Sequence, residues 1–177
     1  GKFVAPLNAI VMKAALAGAD YLLLASAEFA PTEEQVDHLL GHMGSSTLVA
    51  GAKFAEHEFR PGEEVEGTGT TVPWNTFALW NMERLSRIGF PLVGDAPFDP
   101  KQAGVEEVTT IALYQEVWRA LEAKLVCVPG LGGEWNTEGW SEERLSKHAT
   151  KIESKKARPE AQLSRSRLSA PRVIHIG

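Results

Sequence analysis

A short apolar strand, followed by a polar turn and a helix, constrains the fold more than any other stretch of the sequence. The run Tyr21–Ala25 is continuously apolar, which is typical of a strand buried on both faces. Ser26 and Glu28 follow at once, and Pro31 then opens a helix with carboxylates in its first turn. Ligands of open α/β sheets bind at the carboxyl ends of strands, so the pattern predicts a site there. The alternative is an ordinary strand end with a solvated glutamate.

The flanking segments alternate between helical and strand patterns. Apolar residues recur at helical spacing in some segments, and others are rich in residues that favour strands. In chain order the predicted elements are helix 6–17, strand 21–25, helix 31–43, strand 47–52, helix 76–89 with Asn75 as N-cap, helix 105–124 and strand 125–128. This order predicts an α/β fold with a mixed, mostly parallel sheet flanked by helices.

Composition is that of a soluble globular protein and divides the chain in two. The chain has 177 residues, enough for one domain with a core, and no apolar run approaches the roughly 20 residues that span a membrane. Residues 1–140 hold 9 Lys and Arg against 19 Asp and Glu, whereas residues 141–177 hold 9 against 4. We therefore expect an α/β domain over 1–140 and a basic, partly helical tail over 141–177. The tail lacks interleaved aromatic residues, so we expect no nucleic-acid partner.

The single cysteine and the amino-terminal residues bear on the cellular compartment in which we expect the protein. Cys127 lies in an apolar run, and we expect a buried thiol rather than a nucleophile. One cysteine permits no disulfide within the chain, which fits a reducing compartment. The chain begins Gly1-Lys2-Phe3 without a signal-peptide pattern, so we expect a cytoplasmic location.

Two acidic clusters are candidates for chemistry. Glu106 and Glu107 stand at the start of the predicted fourth helix, after Gly104 and a proline-containing loop. Acids there stabilise the helix dipole, and the alternative interpretation is a general base that faces a cleft. The run Glu56-His57-Glu58 contains metal-binding residue types but lacks a recognised ligand spacing.

Several short segments, taken in order, resemble family 2 glycosyltransferases of the GT-A fold. That family has a G-K and L-N-A segment, a buried strand ending in an acidic D-x-D signature, an acceptor-side helix ending in GGF, and a G-x-E-D motif. The matching segments here are Gly1-Lys2, Leu7-Asn8-Ala9, Gly18-Ala19-Asp20-Tyr21, Leu24-Ala25-Ser26-Ala27-Glu28 with Pro31, Pro73-Trp74-Asn75, Ile88-Gly89-Phe90 and Gly104-Val105-Glu106-Glu107-Val108. The resemblance covers about residues 1–125.

The resemblance implies a hexosyltransferase that transfers a sugar from a nucleotide-diphosphate donor to an unidentified acceptor with inversion. In the family a divalent metal, Mg or Mn, neutralises the leaving diphosphate. By position, Glu28 takes the place of the metal ligand. Ser26 takes the place of the first acid of the signature, near the ribose or the metal.

The resemblance also assigns the acceptor side of the site. Glu107 takes the place of the base that removes the proton of the acceptor hydroxyl, and Glu106 sits beside it. Trp74 and Asn75 would border the acceptor or donor sugar.

Two departures from the family pattern leave alternatives open. The signature reads Ser26-Ala27-Glu28 instead of two aspartates, so we expect weaker metal binding. The family's first strands, which bind the nucleobase, precede the G-K segment and have no counterpart in this sequence. The alternatives are a non-catalytic binding or assembly module on the same scaffold, or an unrelated α/β domain. Missing strands would expose a sheet edge, which favours a homodimer.

Overall fold

One six-stranded sheet organises the fold. The computed structural model describes residues 3–27, 29–132 and 138–177. The helices are α1 (Val4–Leu16), α2 (Glu33–Leu40), α3 (Met82–Leu85), α4 (Glu106–Val117), α5 (Glu142–Glu153) and α6 (Ala157–Ser166), with short 3-10 turns at Leu92–Asp95 and Pro100–Gln102. The strands are β1 (Tyr21–Ala25), β2 (Thr47–Ala52), β3 (Glu64–Glu66), β4 (Phe77–Asn81), β5 (Glu122–Val126) and β6 (Arg172–Ile176).

The sheet is mixed. Its strand order is β1-β4-β2-β5-β6-β3. The pairs β2–β5 and β5–β6 are parallel, whereas β1–β4, β4–β2 and β6–β3 are antiparallel. The predicted α/β class, with a mixed sheet flanked by helices, is confirmed. The further expectation of a mostly parallel sheet is wrong. Two of these strand pairs are parallel and three are antiparallel, because β4 and β3 run antiparallel to the strands beside them.

Strand β4 takes the place of the first part of the helix predicted between Asn75 and Gly89. All of Phe77–Asn81 is buried, and the strand pairs with β1 on one side and β2 on the other. A strand buried on both faces is apolar throughout, so its apolar residues also satisfy a helical spacing. Only the short α3 is helical here, and its N-cap is Asn81, whose Oδ1 accepts from the Arg84 N–H.

The segment 141–177 is part of the same sheet. It contains α5 and α6, and also the strand β6 between β5 and β3. Helix α6 packs against α4 and the 3-10 turns. Within α6, the Gln162 side chain donates to the carbonyl oxygens of Gln102 and Gly104 at 2.6 and 3.0 Å. The carboxyl-terminal segment thereby reaches the loop that precedes α4.

The core lies between the sheet and the helices. Its largest fully buried side chains include Trp80, Tyr114, Phe77, Phe90, Leu39 and Leu48. Cys127 is exposed, so the prediction of a buried thiol is wrong. The chain alternates here, and Val126 and Val128 turn inward while Cys127 turns out. Among the described helices, none is long and apolar enough to cross a membrane.

Candidate functional site

The loop before β4, the end of β1 and the first turn of α4 lie close together. The Ser26 N–H donates to the Thr76 carbonyl at 2.8 Å, which joins the end of β1 to this loop. The Asn75 backbone N–H donates to Glu107 Oε1 at 2.6 Å, and its side-chain Nδ2 donates to Glu106 Oε1 at 3.0 Å. The structure therefore brings Asn75, Glu106 and Glu107 together. Trp74 adjoins Asn75 along the chain, and the Ser26 backbone is joined to the neighbouring Thr76.

The predicted metal ligand, Glu28, lies outside the described residues. Among the residues that the structure describes, no group of three or more His, Cys, Asp or Glu side chains is placed to hold a metal ion. Ser26 offers a neutral hydroxyl, whereas Mg²⁺ is bound in proteins chiefly through carboxylates. The described side chains alone do not form a metal site.

Asn75 orients the two acids. Its Oδ1 accepts from Trp80 Nε1 at 2.9 Å, which turns its amide nitrogen toward Glu106. Trp80 lies on β4 and is fully buried, so the orientation of the amide is fixed from inside the core. The prediction of Asn75 as a helix N-cap is wrong, because a strand follows it and Asn81 is the N-cap of α3.

A strained turn delivers the two acids. Gly104 has φ 93° and Val105 has φ 61°, so two consecutive residues adopt the left-handed region before α4 begins. A β-branched residue there costs energy, and such strain concentrates at functional sites. Glu106 and Glu107 then form the first turn of α4, where the helix dipole favours negative charge. Both side chains are nevertheless buried.

Burial sets the ionisation of the acid pair. Burial, and then the neighbouring Glu106 carboxylate, raise the pKa of Glu107 to about 8. The hydrogen bond from Asn75 and the positive charge of Lys155 act in the opposite direction. Two buried carboxyl groups that lie side by side do not readily ionise together, because their negative charges repel each other. A glutamate whose pKa lies near neutrality is suited to accept a proton during a reaction.

Lys155, between α5 and α6, supplies a partly buried cation. Its Nζ lies 2.8 Å from the centre of the Trp74 ring, in a cation–π contact. Burial lowers the pKa of Lys155 to about 7, and the carboxylates of Glu107 and Glu56 oppose this change. No local sequence pattern singles out Lys155, because its partners lie far away along the chain.

The indole of Trp74 forms a wall of the cluster. Trp74 is only 2 % exposed. Its ring is stacked with Phe54 at 6.2 Å between centroids, and the His57 ring lies 3.8 Å away. Its Nε1 donates to the Gly69 carbonyl at 2.8 Å. Trp74 therefore packs behind the cluster, and its predicted place beside a sugar stays a prediction.

His57 is a structural histidine. Its Nδ1 accepts from the Phe54 N–H at 2.9 Å, so the proton is on Nε2, which donates to the Val72 carbonyl at 2.9 Å. Both ring nitrogens are therefore engaged with the backbone. This geometry removes His57 as a metal ligand in the run Glu56-His57-Glu58.

The neutral state of His57 predicts a pH effect on stability. Burial lowers the pKa of His57 from 6.5 to about 3. Below pH 6.5 the His57 ring takes up a proton in the unfolded chain but stays neutral in the folded chain. The contribution of His57 to the free energy of unfolding is therefore complete above pH 6.5 and is lost as the pH falls. We expect the cost of His57→Gln to be about 2 kcal/mol smaller at pH 5 than at pH 7.5, by urea denaturation. An equal or larger cost at pH 5 would contradict a neutral His57.

Gly69 marks the point where the carboxyl-terminal segment packs onto the site. A Cβ at Gly69 would overlap the backbone carbonyl of Lys155. Because backbone yields less readily than a flexible side chain, Gly69→Ala is expected to lower the unfolding free energy by about 1–3 kcal/mol. Gly132→Ala is the matched control, since a Cβ there meets open space. Equal stability of the two variants in urea would show that Lys155 is not seated on Gly69.

Comparisons with protein-family models, curated proteins and solved structures gave no match for this chain. A buried carboxyl pair, oriented by an asparagine and faced by a cation, can accept a proton from a bound hydroxyl group.

Proposed function

We propose that the chain is the acceptor-side part of an inverting glycosyltransferase, with Glu107 as the general base. One observation carries the proposal. By the sequence resemblance Glu107 takes the place of the family's base, and it lies in the first turn of α4, where the Asn75 N–H donates to it at 2.6 Å. Burial beside Glu106 also raises its pKa to about 8, which suits a group that takes up a proton near neutral pH.

In the proposed reaction the acceptor hydroxyl approaches Glu107. Its proton moves to a carboxylate oxygen as the hydroxyl oxygen bonds to the anomeric carbon of the sugar, and the bond to the nucleotide diphosphate breaks. Glu106 stays fixed by Asn75 and raises the basicity of Glu107 by like-charge repulsion. A divalent cation, Mg²⁺ or Mn²⁺, remains part of the proposal through Glu28 and would neutralise the leaving group.

The second candidate function is a non-catalytic binding or assembly module. The observation that favours it is the closed state of the cluster. Glu106 and Glu107 are 8 % and 6 % exposed, and Lys155 provides a compensating cation. Polar networks of this kind also occur as purely structural features.

Calorimetric titration with UDP-sugars and GDP-sugars, with and without Mn²⁺, separates the two candidates. Donor binding that depends on Mn²⁺ supports the transferase. In Glu28→Ala, Mn²⁺ should then no longer change donor binding. The control is Glu33→Ala, at an exposed glutamate in the first turn of α2. Absence of binding to every donor would overturn the transferase proposal for this chain and favour the module.

A homodimer remains part of the proposal. Among the described residues, β1 pairs only with β4, so one edge of the sheet is open. The nearby helix α1 exposes Met12 and Leu16 by 62 % and 83 %. Open edges and apolar surfaces of this kind are commonly covered by association. Sedimentation equilibrium tests it, and a monomer at every concentration would contradict it.

A further inference from the structure

Two histidine rings meet at the carboxyl end of α2. His38 lies in the last turn of the helix, and His42 follows it by four residues. Between them, the C-cap Gly41 keeps right-handed helical angles, and the His42 N–H donates to the Leu39 carbonyl at 3.0 Å. The helical turn therefore continues to His42, and side chains four residues apart lie on one face of such a turn. As a result, the centres of the two rings are 5.1 Å apart, with their planes inclined by 69°.

The backbone that carries the His42 ring is fixed by the sheet. The His42 carbonyl accepts one hydrogen bond from Thr47 Oγ1 at 3.3 Å and another from Lys124 Nζ at 3.0 Å. Thr47 begins β2, and Lys124 lies on β5. The charge of Lys124 is balanced by the Glu122 carboxylate, whose Oε2 lies 3.1 Å from Nζ. The backbone positions of the two histidines are therefore set by α2 and by the sheet.

The surroundings of the two rings suit a bound cation. An imidazole binds a metal through an unprotonated ring nitrogen. Partial burial, and then His38 and Lys124, lower the pKa of His42 below its ordinary value of 6.5, so this ring is neutral at pH 7 and above. Both side chains are partly exposed, which leaves a path from solvent. The carboxyl end of a helix also carries the negative end of the helix dipole, which favours a cation.

The distance between the rings corresponds to a shared ion. Two imidazoles bound to one tetrahedral Zn²⁺ ion, with Zn–N bonds of about 2.1 Å, have ring centres about 5 Å apart. We propose that His38 and His42 together bind one divalent transition-metal ion, Zn²⁺ or the related Cu²⁺ and Ni²⁺. Among the described residues no third His, Cys, Asp or Glu joins them, so water fills the remaining positions. Imidazole ligands select these ions over Mg²⁺ and Ca²⁺, which prefer oxygen.

The test is a zinc chloride titration of the full chain at pH 7.5, up to millimolar zinc, followed by NMR of the histidine ring C–H groups. The variants His38→Gln and His42→Gln assign the two signals by their disappearance. We expect both signals to change together, with a single dissociation constant. The His57 and His175 rings are internal controls, because both nitrogens of each are held by the backbone. A change in only one of the paired signals, or in neither, would overturn the proposal.

Zinc affinity in the same variants separates a shared ion from two independent histidines. With one imidazole removed, we expect at least the roughly tenfold loss of affinity that removal of an outer-shell partner already causes. The matched control is Asp37→Asn, which removes an exposed charge from α2 but no ring. Its zinc affinity should stay within about twofold of the wild type, because exposed charges contribute little. Wild-type affinity in either histidine variant, or an equal loss in Asp37→Asn, would contradict a shared ion.

A further variant separates this site from the cation proposed at Glu28. Glu28→Ala should leave the zinc response of both rings unchanged, and Mg²⁺ should not shift either signal. The titration uses neither donor nor acceptor, so its result does not depend on the proposed transferase function. Loss of the zinc response in Glu28→Ala, or an equal response to Mg²⁺, would overturn a site formed by His38 and His42.

Discussion

Glu107→Gln is expected to lower the rate of sugar transfer by about 10²–10⁴-fold while the chain stays folded. The amide keeps the size of the carboxyl group and still accepts the Asn75 N–H through Oε1, but it cannot take up a proton. Stability is not expected to fall, because the ionised form of Glu107 is opposed by burial and by Glu106. The measurements are the initial rate of nucleotide-diphosphate release and the urea midpoint.

The matched control for this variant is Glu116→Gln on the same helix. Glu116 is exposed, so the same chemical change there should leave both the rate and the stability unchanged. Full turnover by Glu107→Gln would remove Glu107 from the role of base. A loss of activity shared by Glu116→Gln would show that the effect does not arise at the site.

Asn75→Asp is expected to produce the largest loss of stability, about 3 kcal/mol or more at pH 8. The aspartate cannot donate to Glu106, and it adds a third carboxylate beside Glu106 and Glu107. The cost should shrink at pH 5, because a carboxyl group with a raised pKa takes up a proton and removes the repulsion. Urea denaturation at both pH values measures the difference.

Asn81→Asp is the control for this substitution. The Asn81 side chain accepts from the Arg84 N–H as the N-cap of α3, and a carboxylate accepts that bond equally well. Its stability should therefore match the wild type within about 0.5 kcal/mol. A loss below about 1 kcal/mol for Asn75→Asp at pH 8 would contradict a buried acid pair that depends on the Asn75 amide.

Elements with a strong local pattern were predictable from the sequence. The strands β1 and β2 match the expected bounds 21–25 and 47–52. The prediction that 21–25 is buried on both faces is wrong, because β1 lies at the edge of the sheet and its residues alternate between buried and exposed. Strand β4 was not predictable, because its buried residues fit two periodicities. Strand β6 carries Arg172 and His175 in a basic segment, and its pairing with β5 depends on the rest of the sheet.

The candidate site shows the same division. Glu106 and Glu107 are recognisable in the sequence as adjacent acids at a predicted helix start, whereas Trp74 and Asn75 were assigned only through the family resemblance. Lys155 has no such signal, since only the tertiary packing of the α5–α6 junction brings it to Trp74. The ionisation of Glu107 was not predictable from the sequence either, because its raised pKa arises from burial, which exists only in the folded chain.

The pH dependence of transfer tests the proposed base most directly. Nucleotide-diphosphate release would be followed from pH 4 to pH 9 with a donor and an acceptor that support turnover. If Glu107 is the base, the rate rises with pH, because only the carboxylate accepts the proton, and the midpoint lies near its pKa of about 8. A rate independent of pH, or a midpoint near the ordinary glutamate value of 4.5, would contradict a buried Glu107 acting as the base.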